Sequence, residues 1–286
     1  MGRHISEMLA HTSYVYLTSR TFLQADSNVI QFDLQSKATW EAILDIRPDV
    51  IINASGYGVV KEQVDLSSMY EINYQAPLAL AMYLQKSNQY PLWIQIGSAF
   101  EYDLDAECLT EDSDTVPTTH YGISKLLFSN FLKSSKNKLP YVLLRPFAMY
   151  GPYENQSKII PYLINAQKNK QKVSLSSGLQ KRDYLYVKDL AAFVKMLLKG
   201  DDNEFNGQVY NLGSGKAVAI KDLAQVLSSK IPGFDAEYWA WGHLSQRSHE
   251  SETFFNGSTK ALSEGLTFTS QSEAIQETVD YYFNLI

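Results

Sequence analysis

The sequence predicts an α/β protein, built on a doubly wound parallel sheet and followed by a smaller C-terminal α/β region. Short apolar strands alternate with helices through residue 133, as in chains whose parallel strands are joined by helices. Residues 49–53 form a nearly continuous apolar run, which is typical of a strand covered on both faces. The acidic, proline-containing stretch 103–117 interrupts this alternation and is predicted to be a loop.

The first elements follow from their side-chain periodicity. Ile5, Met8 and Leu9 share one face of a helix, and Pro48 ends another. Before residue 100 we predict helices at 2–10, 40–46 and 69–85, and strands at 14–18, 29–32, 49–53 and 94–98.

The pattern changes after Gly151. A helix through residue 133 and a strand at 141–145 precede it, and the later elements are more widely spaced. We predict helices at 159–169, 189–199, 220–229 and 273–283, a loop and strand at 178–187, and a strand at 209–213. This change of pattern predicts a first domain at residues 1–152 and a second region at 153–286.

Composition excludes several function classes. The net charge of −6 argues against a general nucleic-acid or membrane-surface binder. Cys108 is the one cysteine, so an internal disulfide and a cysteine-based zinc site are excluded. His120 and His249 have no companion ligands at metal-binding spacing, so no metal site is predicted. Without a membrane-spanning run or a signal peptide, we expect a cytoplasmic protein.

The candidate catalytic residues lie between residues 94 and 125. Tyr121 and Lys125 are four residues apart and share a helix face. A neighbouring ammonium is expected to lower the tyrosine pKa from about 10 towards working pH. Ser98 ends an apolar strand, and its hydroxyl could bind the same substrate oxygen as the Tyr121 phenol. The same tyrosine–lysine spacing occurs twice more, at Tyr57/Lys61 and Tyr184/Lys188.

The pattern alone also fits a surface tyrosine and lysine on an ordinary helix. The preceding strand that ends in Gly97-Ser98, and the run His120-Tyr121-Gly122-Ile123-Ser124-Lys125, favour the catalytic interpretation. With these residues the chain resembles an extended short-chain dehydrogenase/reductase of the NAD-dependent epimerase/dehydratase family, from Gly2 to its C-terminus. The resemblance implies a catalytic triad of Ser98, Tyr121 and Lys125. It also implies a dinucleotide-binding Rossmann domain at residues 1–152, incomplete at its N-terminus. Residues 153–286 would be mainly substrate-binding, with segments around 180–215 that return to the first domain.

The resemblance also implies a nicotinamide dinucleotide cofactor. It aligns Gly2-Arg3-His4 with the end of a glycine-rich turn. The first strand and the earlier glycines are absent from the sequence, so either the start was assigned late or the chain is truncated. We therefore expect a sheet without its usual central first strand. The implied cofactor contacts are Gly2, Asp33, Leu34, Ala54, Ser55, Gly56, Asn73, Tyr121, Lys125, Pro146 and Phe147.

The cofactor type depends on Ser19 and Arg20, at the end of the strand at 14–18. NAD-binding sites commonly place an acidic residue here, to accept hydrogen bonds from the ribose. A hydroxyl and a permanent cation suit the 2′-phosphate of NADP(H) instead, so NADP(H) is preferred and NAD(H) remains possible. An exposed loop arginine without this role is the alternative interpretation of Arg20.

A nucleotide sugar is the substrate that the resemblance implies. Ser98, Ala99 and Phe100 would contact the sugar. Arg182 and Arg247 would bind the diphosphate, because guanidinium matches phosphate oxygens in bidentate geometry; either could instead form a surface ion pair. The resemblance further implies a homodimer, formed through a helix pair that includes the helix after Tyr121.

Three reactions fit this family, and the site residues discriminate among them. A 4,6-dehydratase also eliminates water and needs an extra acid and base, whereas Ala99 and Phe100 cannot transfer a proton. Glu101 is one residue out of register for that role. A 4-epimerase retains bound NAD and does not need an exchangeable NADPH. Ser19 and Arg20 favour NADPH and therefore argue against the epimerase.

The sequence therefore favours an NADP(H)-dependent ketoreductase. The run Gly97-Ser98-Ala99-Phe100-Glu101-Tyr102 most resembles reductases that finish deoxysugar nucleotides, such as CDP-abequose and CDP-paratose synthases. Such an enzyme reduces a 4-keto group of a nucleotide-linked deoxyhexose in deoxysugar and lipopolysaccharide precursor synthesis. The 4-epimerase is the alternative. A non-catalytic cofactor-binding protein, or an inactive truncated relative, is the alternative from another class.

Overall fold

The computed structural model describes residues 1–21, 28–199, 204–245 and 251–284. The helices are α1 Gly2–Leu9, α2 Glu41–Ile46, α3 Leu66–Tyr70, α4 Ala76–Lys86, α5 His120–Lys133, α6 Ile159–Lys168, α7 Val187–Leu197, α8 Ile220–Ser228, α9 Lys260–Ser263 and α10 Gln271–Asn284. The strands are β1 Leu17–Ser19, β2 Val29–Gln31, β3 Val50–Asn53, β4 Leu92–Ile96, β5 Cys108–Leu109, β6 Tyr141–Pro146, β7 Ala148–Tyr150, β8 Val173–Ser174, β9 Lys181–Tyr186, β10 Gln208–Leu212, β11 Ala217–Ala219, β12 Trp239–Ala240 and β13 Thr253–Asn256.

The chain divides into two compact units. Unit 1 comprises residues 1–103, 114–145 and 191–210, and unit 2 comprises residues 104–113, 146–190 and 211–286. No helix in the described parts of the chain is long and apolar enough to cross a membrane.

Unit 1 contains the predicted parallel sheet. Its strand order is β10-β6-β4-β3, and β4 pairs in parallel with both β3 and β6. Every residue of β4 is buried, as expected for a central strand covered on both faces. The Rossmann-like α/β fold class predicted from the sequence is confirmed.

Strands β1 and β2 form a separate parallel pair in unit 1. Among the residues described, no strand hydrogen-bonds to both this pair and the four-stranded sheet. This is the gap expected from the resemblance, in which the central first strand would join the two parts. The hydrophobic core of this unit includes Trp40, Leu84, Trp93 and Phe128.

Some predicted boundaries in unit 1 were wrong. The strand expected at 14–18 is Leu17–Ser19, and the strand expected at 94–98 is Leu92–Ile96. The helix predicted at 69–85 is broken by a π-helical segment, Glu71–Gln75. The side chain of Asn73 in this segment bonds the backbone of Tyr57, a long-range contact that periodicity does not reveal.

Unit 2 has a mixed sheet of five strands that the sequence analysis largely missed. Its order is β11-β9-β13-β5, with β7 also paired to β9. Strand β11 runs antiparallel to β9, while β13 and β7 run parallel to it. Of these five strands, only β9 was predicted, together with the loop before it. The other four strands have two to four residues and are too short to show a hydrophobic periodicity.

Candidate active site

Helix α5 places Tyr121 and Lys125 on one face in unit 1. Thr119 caps its N-terminus by accepting a hydrogen bond from the Gly122 N–H at 3.1 Å, a side-chain role that favours helix initiation. The other two pairs with this spacing do not share a helix. Residues 57–61 form a loop, and Tyr184 lies in β9 whereas Lys188 lies in α7. Tyr121/Lys125 is therefore the one predicted pair with the required helical geometry.

The structure brings Ser98 to Tyr121. Ser98 lies after β4, at the start of the short 3₁₀ turn Ala99–Glu101, and its hydroxyl lies near enough to the Tyr121 phenol to act against the rise of the phenol pKa. The Phe100 N–H donates to Ser98 Oγ at 3.2 Å, which fixes the hydroxyl from its other side. Two hydroxyl groups are thus neighbours, and both could contact a single substrate oxygen.

Gly122 permits this approach. A Cβ atom at position 122 would lie 2.0 Å from the Phe100 carbonyl oxygen and 2.9 Å from the Pro117 Cβ. The start of α5 therefore packs directly against the backbone of the serine turn. Gly122 lies within the motif at 120–125, but the sequence did not predict this role. Its position beside Tyr121 was the available signal.

Lys125 is buried, with its ammonium held by two backbone carbonyls. Nζ donates to the Ser55 oxygen at 2.9 Å and to the Ile96 oxygen at 3.2 Å. Burial lowers the pKa of Lys125 to about 8, although the negative charge of Glu101 acts in the opposite direction. The ammonium form predominates below that pH.

The expected lowering of the Tyr121 pKa was wrong. Burial raises the pKa of Tyr121 to about 12; the Ser98 hydrogen bond opposes this effect and the charge of Glu101 adds to it. The Lys125 ammonium donates its hydrogen bonds to the carbonyls of Ser55 and Ile96. The effect of burial on the phenol therefore dominates. Tyr121 is consequently a protonated phenol at neutral pH.

The predicted cofactor residues Ala54, Ser55 and Gly56 follow β3 directly. A Cβ at position 56 would lie 3.3 Å from Lys125 Nζ, so the small residue allows the loop to approach the lysine. At Gly2, in α1, an added Cβ would lie 3.7 Å from the Ala54 Cβ. The N-terminus of α1 and this loop are therefore adjacent.

Asn73 ties the same loop to α5. Its Nδ2 donates to the Tyr57 carbonyl at 2.8 Å and to Ser124 Oγ at 2.9 Å, and its Oδ1 accepts from the Tyr57 N–H at 2.9 Å. Ser124 Oγ in turn donates to the Tyr121 carbonyl at 2.8 Å. Ser124 is a residue whose positioning role sequence reasoning missed, although it lies within the quoted motif.

Other predicted cofactor residues lie at strand ends. Ser19 ends β1 and is half-buried, while Arg20 is exposed. Asp33 and Leu34 follow β2; the Asp33 N–H donates to Thr39 Oγ1 at 2.9 Å, and its carbonyl accepts from the Trp40 indole at 3.1 Å. These contacts fix the backbone at the end of β2.

The predicted substrate residues next to Ser98 differ in exposure. Ala99 is buried, whereas Phe100 is 37% exposed and its ring lies edge-on to Tyr121 at 6.0 Å. Glu101 is fully buried and turned inward, where it pairs with Arg145. No carboxyl group from this turn therefore reaches the exposed side of the site.

Unit 2 contains three further predicted site residues: Pro146, Phe147 and Arg182. Pro146 ends β6, and the Phe147 N–H donates to the Leu212 carbonyl at 2.9 Å. Arg182 is buried, with its guanidinium 4.7 Å from the centre of the Phe254 ring and Nη1 donating to the Lys181 carbonyl at 2.7 Å. Arg247 lies outside the described residues. Within those described, no group of three or more metal-ligand side chains could hold an ion.

The chain is similar to known proteins over most of its length. The sequence model of the NAD dependent epimerase/dehydratase family matches residues 1–213. The chain is 29% identical to dTDP-D-glucose 4,6-dehydratase of Mus musculus over 200 residues, which is 67% of this chain and 55% of the mouse protein. It is 23% identical to CDP-abequose synthase of Yersinia pseudotuberculosis over 189 residues, 65% of this chain and 64% of that protein.

The chain thus spans little more than half to two thirds of the length of these curated relatives. Among solved structures, UDP-glucose 4-epimerase of Thermus thermophilus in complex with NAD superposes with a TM-score of 0.83 at 19% identity. That match covers 100% of this chain and 96% of the epimerase, and it supports the fold.

Proposed function

Because the chain belongs to the NAD-dependent epimerase/dehydratase family, we propose that it reduces the 4-keto group of a nucleotide-linked deoxyhexose with NADPH. The product would be a precursor of deoxysugar-containing polysaccharide such as lipopolysaccharide. Gly2, Ala54, Ser55, Gly56 and the other predicted cofactor residues would hold the dinucleotide, which when bound supplies a hydride. The small residues after β3 and the buried ammonium of Lys125 fit that group.

The chain's own residues then have distinct roles. Ser98 donates a hydrogen bond to the ketone oxygen and polarises it. Tyr121, which is protonated at neutral pH, donates its proton as negative charge develops on that oxygen, a stabilisation that strengthens towards the transition state. The Lys125 ammonium, buried beside the loop after β3, would hold the ribose of the cofactor.

One observation carries the choice of reaction: the turn after Ser98 offers no acid or base. Ala99 is buried and Phe100 is apolar, and the carboxylate of Glu101 is bound by the Ser98 N–H and by Arg145. Elimination of water would require a carboxylic acid and a base at the sugar. Reduction requires only the groups present.

The relatives support this proposal in part. The similarity to a CDP-abequose synthase suggests a CDP-linked sugar, and the similarity to a dTDP-D-glucose 4,6-dehydratase suggests a dTDP-linked one. Arg20, exposed after β1, supports NADPH because its guanidinium can pair with a 2′-phosphate. We further propose a homodimer through α4 and α5, which expose Met82 and Leu127.

The test is to mix the chain with CDP- or dTDP-linked 4-keto-6-deoxyglucose and with NADPH or NADH, following nicotinamide absorbance. We expect NADPH oxidation at a higher kcat/KM than NADH oxidation, and an Arg20→Asp variant that reverses the preference. Interconversion of two nucleotide sugars without net cofactor oxidation would instead indicate the 4-epimerase. Absence of both turnover and cofactor binding would indicate the non-catalytic alternative.

A further inference from the structure

A buried ion pair lies directly behind the candidate catalytic serine. Glu101 and Arg145 are each fully buried, and Arg145 Nε donates to Glu101 Oε2 at 3.0 Å. The guanidinium carbon of Arg145 also lies 4.4 Å from the centre of the Tyr102 ring. Burying two charges costs several kcal/mol per ion, and a well-packed apolar pair is often equally stable. Stability alone therefore does not account for this pair.

The second carboxylate oxygen of Glu101 holds the backbone of Ser98. Oε1 accepts the Ser98 N–H at 3.0 Å, and the Glu101 N–H donates to the Ser98 carbonyl at 3.1 Å. A Cβ at position 97 would lie 2.3 Å from Oε1, so Gly97 leaves the space that the carboxylate occupies. Arg145, fixed in β6, thus anchors the carboxylate, and the carboxylate fixes the serine turn.

Glu101 and Lys125 bind the same short segment after β4: Lys125 Nζ donates to the Ile96 carbonyl at 3.2 Å, and Glu101 Oε1 accepts from the Ser98 N–H at 3.0 Å. Burial lowers the pKa of Lys125 and the Glu101 carboxylate raises it. The groups that act on Lys125 are the carbonyls of Ser55 and Ile96, which accept its hydrogen bonds, and the Glu101 carboxylate, which is paired with Arg145. Of these, Glu101 carries the negative charge that favours the ammonium.

We infer that Glu101, held by Arg145, is a positioning residue that fixes Ser98 for catalysis and places a negative charge near the Lys125 ammonium. Its catalytic readout rests on the proposed function. Glu101 does not contact substrate in this arrangement; it acts through the two residues that do. The sequence did not predict this role for Glu101, which was considered only as a dehydratase acid one residue out of register.

Two paired variants separate the two effects without leaving a lone buried charge. Glu101→Gln/Arg145→Met keeps an oxygen that can accept the Ser98 N–H and removes both charges. Glu101→Leu/Arg145→Met removes the acceptor as well. Glu107→Gln, which changes an exposed carboxylate on the following loop, is the control. Thermal unfolding is measured first, and Glu101→Gln alone is used if a double variant does not fold.

The first readout is the titration of the Lys125 side chain by NMR of ¹³Cε-labelled lysine, with the signal assigned by its absence in Lys125→Met. We expect the midpoint, near pH 8 in the parent chain, to fall by about half a unit or more in both double variants. It should be unchanged in Glu107→Gln. This titration needs neither substrate nor turnover, so an unchanged midpoint in both double variants would contradict the effect on Lys125 even if the parent chain reduces no ketone and the proposed function fails.

The second readout is the pH profile of ketone reduction. Below the Lys125 midpoint the Gln/Met variant should retain kcat, and its activity should be lost at lower pH than in the parent. The Leu/Met variant should lose kcat about ten- to a hundredfold at every pH, because the serine is no longer fixed. Parent-like midpoints and parent-like kcat in both folded double variants would overturn the inference and leave a purely structural pair.

Discussion

The protonation state of Tyr121 is set by its surroundings rather than by its sequence neighbours. Burial raises the pKa of the phenol to about 12, so the phenol is protonated over the physiological range. Lys125 is four residues away, yet its ammonium is held by the carbonyls of Ser55 and Ile96. The motif predicted which residues would meet, but not which contacts the lysine would make.

This protonated phenol gives a first prediction. Tyr121→Phe removes the proton donor and should reduce kcat for ketone reduction at least about a hundredfold, the usual contribution of a general acid. The dissociation constant for NADPH, measured by nicotinamide fluorescence, should change little, because the ring remains.

Tyr184→Phe is the control for this prediction, since it removes a hydroxyl from another tyrosine with the same spacing to a lysine. It should retain near-normal turnover. Near-normal turnover in Tyr121→Phe would refute the assigned role.

At the scale of elements, the site depends on the packing of α5 against the turn after β4. Gly122 allows this packing, and the Asn73 side chain links the π-helical segment, the loop after β3 and Ser124 on α5. The predicted helix and strand were present, with their bounds shifted by a few residues. The close contact between them could not be predicted, because it joins residues distant in sequence.

Gly122→Ala tests this packing. In an ordinary helix interior the change would stabilise by about 1 kcal/mol. Here the new methyl group would meet the Phe100 carbonyl oxygen at 2.0 Å, so we expect destabilisation by about 1–3 kcal/mol and a lower kcat, measured by chemical denaturation and by ketone reduction.

Asn130→Ala, at an exposed position on the same helix, should change the free energy of unfolding by only a few tenths of a kcal/mol. A Gly122→Ala variant that is more stable than the parent would contradict the proposed packing.

In unit 2 one carboxylate organises the strand ends. Asp183, fully buried in β9, accepts hydrogen bonds from Ser214 N–H at 2.6 Å, Ser214 Oγ at 2.7 Å, and the Gly215 and Asn256 N–H groups at 3.0 Å. The side chain thus ties the ends of β10 and β13 to β9, which short strands cannot do by pairing alone.

Asp183→Asn should therefore destabilise the protein by about 2–4 kcal/mol, because an amide NH₂ would face N–H donors that lose their acceptor. Urea denaturation followed by circular dichroism measures the change. Asp222→Asn, at an exposed position in α8, should leave the midpoint nearly unchanged, and an equally small effect at Asp183 would contradict the structural role.

At the scale of the whole molecule, the family match over residues 1–213 crosses both units. The two units are not consecutive in the sequence. Residues 191–210, from α7 and β10, belong to unit 1, although residues 146–190 before them belong to unit 2. The proposed homodimer belongs to this scale, and its surface would be the exposed apolar side chains of α4 and α5.

Leu127→Glu should convert a dimer into monomers, because it places a charge at the centre of the proposed apolar contact. Sedimentation velocity measures the change in mass. Leu262→Glu, at a similarly exposed leucine in α9, should leave the parent state unchanged. A monomeric parent chain would refute the dimer.

The sequence by itself determined the α/β class, the family and the identity of Ser98, Tyr121 and Lys125 as candidates, because periodicity and motif spacing are local properties of the chain. Only the tertiary structure decided how these residues are held. The short strands of unit 2, the closeness of Gly122 to Phe100 and the burial of Glu101 with Arg145 all join distant segments. Burial and hydrogen-bond partners across such distances set charge and position, and neither can be predicted from local pattern.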